Sequence, residues 1–409
     1  MRLLLIKLRP FPTIVWEDGG VSMRKGVWKF MELPKEFLQE MEALLGPEYP
    51  DFLKTTEQPS QRGLRRNPLK CREDQLIESL PFPIVPTAFS PLSFTFPGEV
   101  EGIGRLPAHH AGLFYVQEPS ACSAVTVLDP QPGERVLDLC AAPGGKSTQI
   151  AGLLGGEGLL WSNEIVKSRA QVLASNVERL GVRNAVVSSC HPQQLCEALQ
   201  GFFDRVLVDA PCSGEGMFRR DPEAVAQWTP QAPAACAQRQ RAILDSAALA
   251  VKEGGVLVYS TCTFSREENE ENVNWFLSAH PEFVLLPLDL PFGRPGVNGL
   301  PVCRIYPMDG GEGHFVAKFQ RVGENSCLAG SFSQYLTKKE DPEVRALFEE
   351  LFTIPYPGTA ARFGDRVVLI PPGAPELDRL GVLRAGVELA HQKGRRLEPS
   401  HGVFQAAKK

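Results

Sequence analysis

Two cysteine dipeptides are the residues of this chain best suited to chemistry. Pro211-Cys212 and Thr261-Cys262 lie fifty residues apart, and each follows an apolar run, 205–208 and 256–259, that predicts a buried parallel strand. Chemistry in an open α/β sheet collects at the carboxyl ends of its strands, so we expect both thiols to face one crevice. Two thiols at one site suit covalent catalysis, in which one attacks and the other assists release. The alternative is a pair of structural cysteines, because free cysteine is among the most buried residue types.

A glycine-rich turn upstream indicates what this crevice binds. The predicted strand 135–139 is followed directly by Cys140–Lys146, whose small residues let the backbone pass close to a ligand and turn its amides toward it. A second predicted strand, 159–163, is followed by Glu164, an acid about 20 residues beyond the turn, as in sites that hold a ribose diol. The turn matches neither the phosphate loop nor GxGxxG, which disfavours a nucleoside triphosphate or a dinucleotide. The alternative is an ordinary strand–turn–helix unit with a solvated glutamate.

These motifs, taken in order along the chain, resemble those of one known family. The chain is similar to the Sun-type RNA (cytosine-carbon-5) methyltransferases, and within them to the RsmF-type enzymes that modify small-subunit ribosomal RNA. The resemblance covers about residues 31–409. It rests on five segments of the sequence: Gln117–Ser120, Cys140–Lys146, Asp209–Pro222, Tyr259–Glu270 and Gly311–Phe315.

The resemblance implies a cofactor and a set of site residues. The cofactor would be S-adenosyl-L-methionine, and the residues implied to bind it are Cys140, Ala141, Ala142, Pro143, Gly144, Gly145, Lys146, Glu164 and Asp209. Cys262 would be the nucleophile, and Cys212 would take part in release. Attack of a thiolate on carbon 6 of cytosine makes carbon 5 nucleophilic enough to take the methyl group. Positive charge favours a thiolate, and the sulfonium and Lys146 are the candidates. Asp209 is placed to hydrogen-bond the cytosine edge.

The chain departs from the family pattern at three places. The family has an acid near the adenine amino group after the third strand, but this chain has Ser188-Ser189-Cys190-His191, so the adenine partner near Cys190 and His191 is unassigned. Tyr306-Pro307-Met308 stands where the family has Tyr-Pro-His or Trp-Pro-His. RsmF-type chains often carry a further small RNA-binding module at the end, which we expect to be missing or truncated here.

Basic residues that would contact RNA form short clusters. The formal charge of −5 weighs mildly against a nucleic-acid partner, but phosphate contacts are local. The segment Arg62–Lys70 resembles the family's Arg-Asn-x-Leu-Lys element. From it we predict RNA contacts by Arg62, Arg65, Arg66, Asn67 and Lys70. A solvated face is the alternative for this cluster and for Arg219-Arg220, Arg239 with Arg241, and Lys393–Arg396.

Length and composition bound the class of protein. A chain of 409 residues with 43% hydrophobic residues has room for two or three domains. Ten cysteines without a CxxC pair favour reduced thiols in a cytoplasmic protein and disfavour zinc. No apolar run approaches the ~18 residues of a membrane helix. We therefore expect a cytoplasmic enzyme that is monomeric and binds no metal.

Alternating strand and helix patterns predict the architecture. Residues 106–322 are predicted to form a Rossmann-like class I methyltransferase domain, with a doubly wound, mostly parallel seven-stranded sheet whose last strand is antiparallel. Residues 31–105 are predicted to be a small helical RNA-binding domain, and residues 323–409 a small α+β RNA-binding-type module of the PUA kind. Residues 1–30 have no clear pattern, and we expect the native chain to begin at Met31.

Together these features predict an RNA (cytosine-5-)-methyltransferase that acts on small-subunit (16S) ribosomal RNA through a covalent Cys262–cytosine adduct. One alternative is a transfer RNA cytosine-5 methyltransferase. The other is a non-catalytic RNA-binding or ribosome-assembly protein on the same fold. A DNA cytosine methyltransferase would use the Pro-Cys thiol as nucleophile, and a nitrogen or oxygen methyltransferase would have no use for two strand-end thiols.

Overall fold

The computed structural model describes residues 12–17, 20–25, 33–323, 342–353 and 360–406. The first two ranges form an antiparallel hairpin, β1 (Pro12–Glu17) and β2 (Gly20–Lys25), in the segment whose sequence predicts no element.

The N-terminal unit contains both helices and a sheet. Its elements are α1 (Lys35–Leu45), α2 (Tyr49–Thr56), β3 (Arg62–Arg66), α3 (Glu73–Ser79), β4 (Val85–Pro86), β5 (Ser93–Phe96), α4 (Pro107–His110) and β6 (Phe114–Val116). The strands form an antiparallel sheet in the order β4-β5-β3-β6. The prediction of a helical domain is therefore wrong for this sheet. β3 is a mostly buried strand, but its sequence is basic and lacks the apolar pattern that would predict one. The expected boundary at Arg105 falls before β6, which pairs with β3.

The central domain is the predicted doubly wound sheet. Its strands are β7 (Arg135–Asp138), β8 (Leu159–Asn163), β9 (Ala185–Ser188), β10 (Phe203–Asp209), β11 (Val251–Thr261), β12 (Phe283–Leu286), β13 (Cys303–Ile305) and β14 (His314–Arg321). The order β12-β14-β11-β10-β7-β8-β9 is parallel from β11 to β9, and β14 runs antiparallel. This confirms the predicted class I methyltransferase fold. The short β13 pairs with β14.

Helices cover both faces of this sheet. They are α5 (Ser123–Leu128), α6 (Gly145–Leu154), α7 (Lys167–Arg179), α8 (Pro192–Ala198), α9 (Pro222–Gln227), α10 (Ala232–Ala250) and α11 (Glu270–Ala279). Alternate strand residues enter opposite layers: Leu137 and Trp161 pack in one core cluster, and Val136 and Leu160 in the other. Burial on both faces explains why these strands are continuous apolar runs. In the described part of the chain, no helix combines the length and apolar content that a membrane crossing needs.

The C-terminal module joins the central sheet by adding a strand to its edge. It consists of α12 (Pro342–Leu351), β15 (Ala360–Phe363), β16 (Arg366–Leu369), β17 (Val382–Ala385), β18 (Val387–Lys393), β19 (Arg396–Pro399) and α13 (His401–Ala406). Four strands form a separate sheet in the order β15-β16-β18-β19, but β17 pairs antiparallel with β9. Arg384 of β17 also forms an ion pair with Glu178 of α7 at 2.5 Å. The module is α+β, as predicted, and it covers the outer edge of the central sheet.

Candidate active site at the carboxyl ends of the strands

The two thiols singled out in the sequence lie side by side. Strands β10 and β11 are parallel with Asp209 opposite Ser260, so the loops that follow them leave the sheet at the same edge. The sulfur atoms of Cys212 and Cys262 are 3.2 Å apart, and both cysteines are free and partly exposed. The backbone N–H of Cys262 also donates to Cys212 Sγ at 3.4 Å. Both thiols therefore belong to one crevice.

Cys212 is held as a thiol. Its hydrogen bond with Cys262 and its burial raise its pKa well above the ordinary value. Because the thiolate is the nucleophilic form of cysteine, a residue that keeps its proton is poorly suited to attack.

An ion pair lies beside the thiols. Lys146 Nζ contacts Asp209 Oδ2 at 2.7 Å, and the Ser260 hydroxyl donates to Asp209 Oδ1 at 2.8 Å. Burial raises the pKa of Asp209, but the Lys146 charge and the hydrogen bonds outweigh it and the net pKa is lowered. Burial lowers the pKa of Lys146, and the Asp209 carboxylate reverses this to a raised value, with a further contribution from Cys262. The crevice thus holds an ammonium and a carboxylate that both stay charged.

His314 faces the same carboxylate. Its Nε2 lies 3.9 Å from Asp209 Oδ1 and is buried without a hydrogen-bond partner among the described residues. Burial, together with the Lys146 charge, lowers the pKa of His314 to about 3. The ring is therefore neutral, and it adds no positive charge to the pair.

The glycine turn packs tightly against α7. Gly144 has φ +113°, a left-handed conformation that favours glycine, and a Cβ there would meet Leu173 Cδ1 at 3.1 Å. Beyond it the helix α6 begins at Gly145, so the amides of its first turn point into the crevice end of the sheet. The backbone N–H of Ala141 donates to Asn163 O at 2.8 Å, which fixes the turn to the end of β8.

Two acids flank the turn and fit the predicted cofactor. Asp138, at the end of β7, has a buried oxygen, Oδ1, without a partner among the described residues, and an acceptor there suits a ligand with an ammonium group. Glu164 is 3% exposed and accepts from the Val166 N–H at 2.9 Å while pairing with Arg169 at 3.2 Å. A carboxylate has about four acceptor positions, so Glu164 can still accept from a ribose diol. These two acceptors fit S-adenosyl-L-methionine, which carries an ammonium group and a ribose.

Comparison with known proteins agrees with this arrangement. Family models match in three segments: "16S rRNA methyltransferase RsmB/F" over residues 125–320, "N-terminal domain of 16S rRNA methyltransferase RsmF" over 33–119, and "RsmF rRNA methyltransferase first C-terminal domain" over 347–404. A solved methyltransferase homolog protein from Pyrococcus horikoshii is 30% identical with TM-score 0.62, over 70% of this chain and 95% of that one. The chain belongs to the RsmB/F family.

Other relatives support the same assignment. The ribosomal RNA small subunit methyltransferase F of Cronobacter sakazakii is 36% identical over 306 residues, which are 71% of this chain and 63% of the relative. The Escherichia coli protein of that name is 38% identical over 276 residues, 65% of this chain and 57% of the relative. The chain thus spans less than two thirds of these curated relatives. The structure of NSun6 from Pyrococcus horikoshii with SFG, an S-adenosylmethionine analogue, has TM-score 0.65 and 25% identity, over 71% of this chain and 99% of that one.

Two of the five residues predicted to contact RNA serve a structural role in this RsmB/F-type chain. Arg65 is 2% exposed, and its guanidinium donates to Thr148 Oγ1 at 2.6 Å and to the Gly145 carbonyl. Asn67 is 4% exposed, and its amide donates to the carbonyls of Gly112 and Leu180 at 2.8 and 2.9 Å. A phosphate contact needs an accessible donor, so the prediction is wrong for these two. They fasten the N-terminal unit to the central domain.

The other three members of that cluster remain predicted RNA contacts. Arg62, Arg66 and Lys70 are partly exposed. Arg62 lies over the Phe96 ring at 4.9 Å, Arg66 donates to Cys71 O at 2.9 Å, and Lys70 donates to Gln405 O. Each side chain has further N–H groups that can reach a phosphate.

The two flanking motifs of the family also meet. The Glu312 N–H donates to Glu118 Oε1 at 3.1 Å, and the Glu312 carboxylate accepts from the Gln61 N–H at 2.6 Å and pairs with Arg219 at 3.3 Å. Arg219 is therefore engaged within the protein and is not part of a solvated basic face. Their meeting in space follows from the position of β14 and was not visible in the separate motifs.

Sequence reasoning assigned no role to Glu215 and Glu268, although both lie in the quoted motifs. Glu215 follows Cys212 by three residues, and Glu268 follows Cys262 by six. Both carboxylates are buried and bonded to the loop of the other thiol. The available signal was the presence of an acid soon after each cysteine. Spacing alone could not show that each acid bonds to the loop of the other cysteine.

Proposed function

We propose that this chain transfers a methyl group from S-adenosyl-L-methionine to carbon 5 of a cytosine in small-subunit ribosomal RNA, through a covalent bond between Cys262 and carbon 6. The observation that carries the proposal is the 3.2 Å separation of the Cys212 and Cys262 sulfurs at the edge of the sheet that also holds the Lys146–Asp209 pair. The relatives named as 16S rRNA methyltransferases support ribosomal RNA over transfer RNA as substrate.

The chain's own residues prepare the base for attack. The target cytosine leaves any base stack to reach the crevice. Asp209, which stays ionised, accepts a hydrogen bond from the cytosine edge and favours protonation at nitrogen 3. Lys146 supplies the positive charge that favours the Cys262 thiolate. The thiolate then adds to carbon 6, and the electron pair of the ring double bond becomes available at carbon 5.

Methylation and release complete the cycle. The bound cofactor supplies an electrophilic methyl group on a sulfonium, and carbon 5 takes this methyl. Loss of the carbon 5 proton to a water molecule then restores the ring double bond as the bond between carbon 6 and Cys262 Sγ breaks and the sulfur leaves as a thiolate. We assign Cys212 to this release step because its thiol lies next to the departing sulfur and can donate a hydrogen bond to it. Splitting a difficult substitution into addition and elimination is the benefit of nucleophilic catalysis.

The test is transfer of isotopically labelled methyl groups from S-adenosyl-L-methionine to 16S ribosomal RNA, small ribosomal subunits or transfer RNA, followed by bisulfite sequencing. The wild type should label one of the first two substrates at a cytosine, and Cys262→Ala should not. Cys71→Ala is the control because Cys71 is also free but lies buried in the N-terminal unit. Labelling that survives in Cys262→Ala, or no labelling of any RNA by the wild type, would reject the proposal. Labelling of transfer RNA alone would instead support the alternative, a transfer RNA cytosine-5 methyltransferase.

A further inference from the structure

Two buried carboxylates connect the loops that carry the thiols. Glu268, on the Cys262 side, accepts from the Ser213 hydroxyl at 2.5 Å and from the Ser213 N–H at 3.0 Å. Ser213 is the neighbour of Cys212 in the chain. Gln240 of α10 donates to the same carboxylate at 2.7 Å, which anchors Glu268 to the layer of helices.

Glu215, on the Cys212 side, makes the reverse connection. It accepts from the Thr263 hydroxyl at 2.9 Å and from the Phe264 N–H at 3.0 Å. Thr263 is the neighbour of Cys262. The indole N–H of Trp228 donates to the other Glu215 oxygen at 3.2 Å, so this carboxylate is also anchored from outside the two loops.

We propose that Glu215 and Glu268 are positioning residues that fix the distance and orientation between the Cys212 and Cys262 thiols. Each carboxylate belongs to one thiol's loop and holds the residue adjacent to the other thiol. We call the pair the carboxylate clasp. The catalytic consequence rests on the proposed function, whereas the geometric claim does not.

Burial supports a positioning role for the clasp. Glu215 is 3% exposed and Glu268 is fully buried, and a carboxylate is costly to remove from water unless donors satisfy it. Each one has three donors, two from the opposite loop and one from a side chain outside both loops. Apolar side chains could fill such a space without that cost, but they would not fix an orientation. Directional bonds to Ser213 and Thr263 set where each neighbouring thiol points.

The clasp also forms a continuous chain of polar groups. The hydroxyls of Ser213 and Thr263 are 2.8 Å apart, so the order is Glu268, Ser213, Thr263, Glu215.

Backbone contact reinforces the same distance. The Gly216 N–H donates to Cys262 O at 2.9 Å, and a Cβ at Gly216 would lie 2.9 Å from that oxygen. The two loops therefore approach closely between Glu215 and Cys262. The carboxylate clasp and this backbone hydrogen bond together limit how far the two thiols can separate.

The direct test measures how readily the two thiols pair. In a glutathione redox buffer, glutathione disulfide oxidises Cys212 and Cys262 to a disulfide and is itself reduced to two glutathione thiols, so atoms and electrons balance. The position of this equilibrium gives the effective concentration of one thiol at the other. The sulfurs must close from 3.2 Å to the bond length of about 2.05 Å. Mass spectrometry of the peptide pair identifies this disulfide among those of other cysteines.

We expect Glu268→Ala and Glu215→Ala, which remove the carboxylate and its hydrogen bonds, each to lower that effective concentration by about tenfold or more. Ser213→Ala should lower it less, because the Ser213 N–H bond to Glu268 remains. The matched control is Asp204→Asn, which changes a carboxylate at the other end of β10 and should leave the value unchanged. Circular dichroism spectra check that each variant is folded.

An effective concentration equal to that of the wild type in both alanine variants would overturn the clasp, as would absence of any Cys212–Cys262 disulfide in the wild type. The assay uses neither RNA nor S-adenosyl-L-methionine, so its failure is distinct from failure of the proposed function. If methyl transfer is present, the same variants should lower kcat and leave KM for RNA near the wild-type value, since they act on release. An increase in KM with unchanged kcat would instead place these residues in RNA binding.

Discussion

Two aspartates on the same strand have similar partners and different roles. Asp204 and Asp209 lie at opposite ends of β10, and each forms an ion pair with a lysine. Asp204 accepts from the Arg135 N–H at 2.6 Å and pairs with Lys252 of β11, so it joins three adjacent strands. Asp209 pairs with Lys146 at the carboxyl end, beside the two thiols. Residue type and ion pairing do not separate the two, whereas position along a parallel strand does.

Replacing each aspartate by asparagine tests most sharply whether the two ends of β10 have different roles. Asp209→Asn removes the carboxylate that we propose to bind the cytosine edge, and we expect methyl transfer to fall by about 10²–10⁴-fold. Asp204→Asn should keep activity within about twofold and lower the free energy of unfolding by about 1–3 kcal/mol. Methyl transfer at saturating substrates and urea unfolding measure the two effects. A large loss of activity in Asp204→Asn would remove the distinction between the two ends.

The same distinction applies to Arg62 and Arg65 on β3. Arg65→Ala removes one donor from each of three buried or partly buried acceptors, so we expect unfolding free energy to fall by about 2–4 kcal/mol. Arg62→Ala should change stability little and lower the salt dependence of RNA binding by about one phosphate contact. Urea unfolding and binding titrations at several salt concentrations measure both. If Arg65→Ala changed the salt dependence of RNA affinity without loss of stability, Arg65 would be an RNA contact.

A smaller effect is expected at the two ends of β8. Glu164→Ala removes the acid assigned to the ribose, and we expect binding of S-adenosyl-L-methionine to weaken by about 1–3 kcal/mol. Glu157→Ala, at an exposed position two residues before the same strand, is the control. Calorimetric titration measures both affinities. Unchanged affinity in Glu164→Ala would remove this residue from the cofactor site.

The smallest effect is a pH dependence that has opposite signs at Glu268 and Glu270. Burial raises the pKa of Glu268 to about 7, so the folded state holds a proton that the unfolded chain releases near 4.5, and stability falls as pH rises between them. Burial also raises the pKa of Glu270, but Arg304 outweighs it and the net pKa is lowered, so its contribution is lost as pH falls.

Urea unfolding from pH 3 to 8 should therefore separate the two variants. Glu268→Gln should become more stable relative to the wild type as pH rises from about 4.5 to 7, whereas Glu270→Gln should become less stable relative to it as pH rises toward about 4.5. Parallel curves for both variants would show that neither carboxyl changes its pKa on folding.

Sequence reasoning predicted the elements that have a local signal. The apolar runs of β7, β8, β10 and β11 located the sheet, and because residues that follow parallel strands share an edge, the meeting of Cys212 and Cys262 could be expected. The first turn of α6 and Glu164 followed from the glycine turn and its spacing.

Features set by distant partners could not be predicted. The burial of Arg65 depends on acceptors in α6, which lie about eighty positions away, so its charge was taken for a surface cluster. The pairing of β17 with β9 and the crossing of Glu215 and Glu268 likewise depend on tertiary contacts. β12 (Phe283–Leu286) is apolar throughout, but a run of four residues is too short to be assigned as a strand from its pattern alone.

Denaturing electrophoresis of the enzyme with RNA tests the central claim most directly, because a carbon–sulfur bond to cytosine survives denaturation. With S-adenosyl-L-methionine present, Cys212→Ala should accumulate a protein–RNA adduct that carries the transferred methyl group, and Cys262→Ala should form none. The Cys212→Ala/Cys262→Ala double variant should also form none, which shows that the adduct uses Cys262. An adduct in Cys262→Ala and none in Cys212→Ala would contradict the account, and no adduct in either single variant would leave the two thiols without a covalent role.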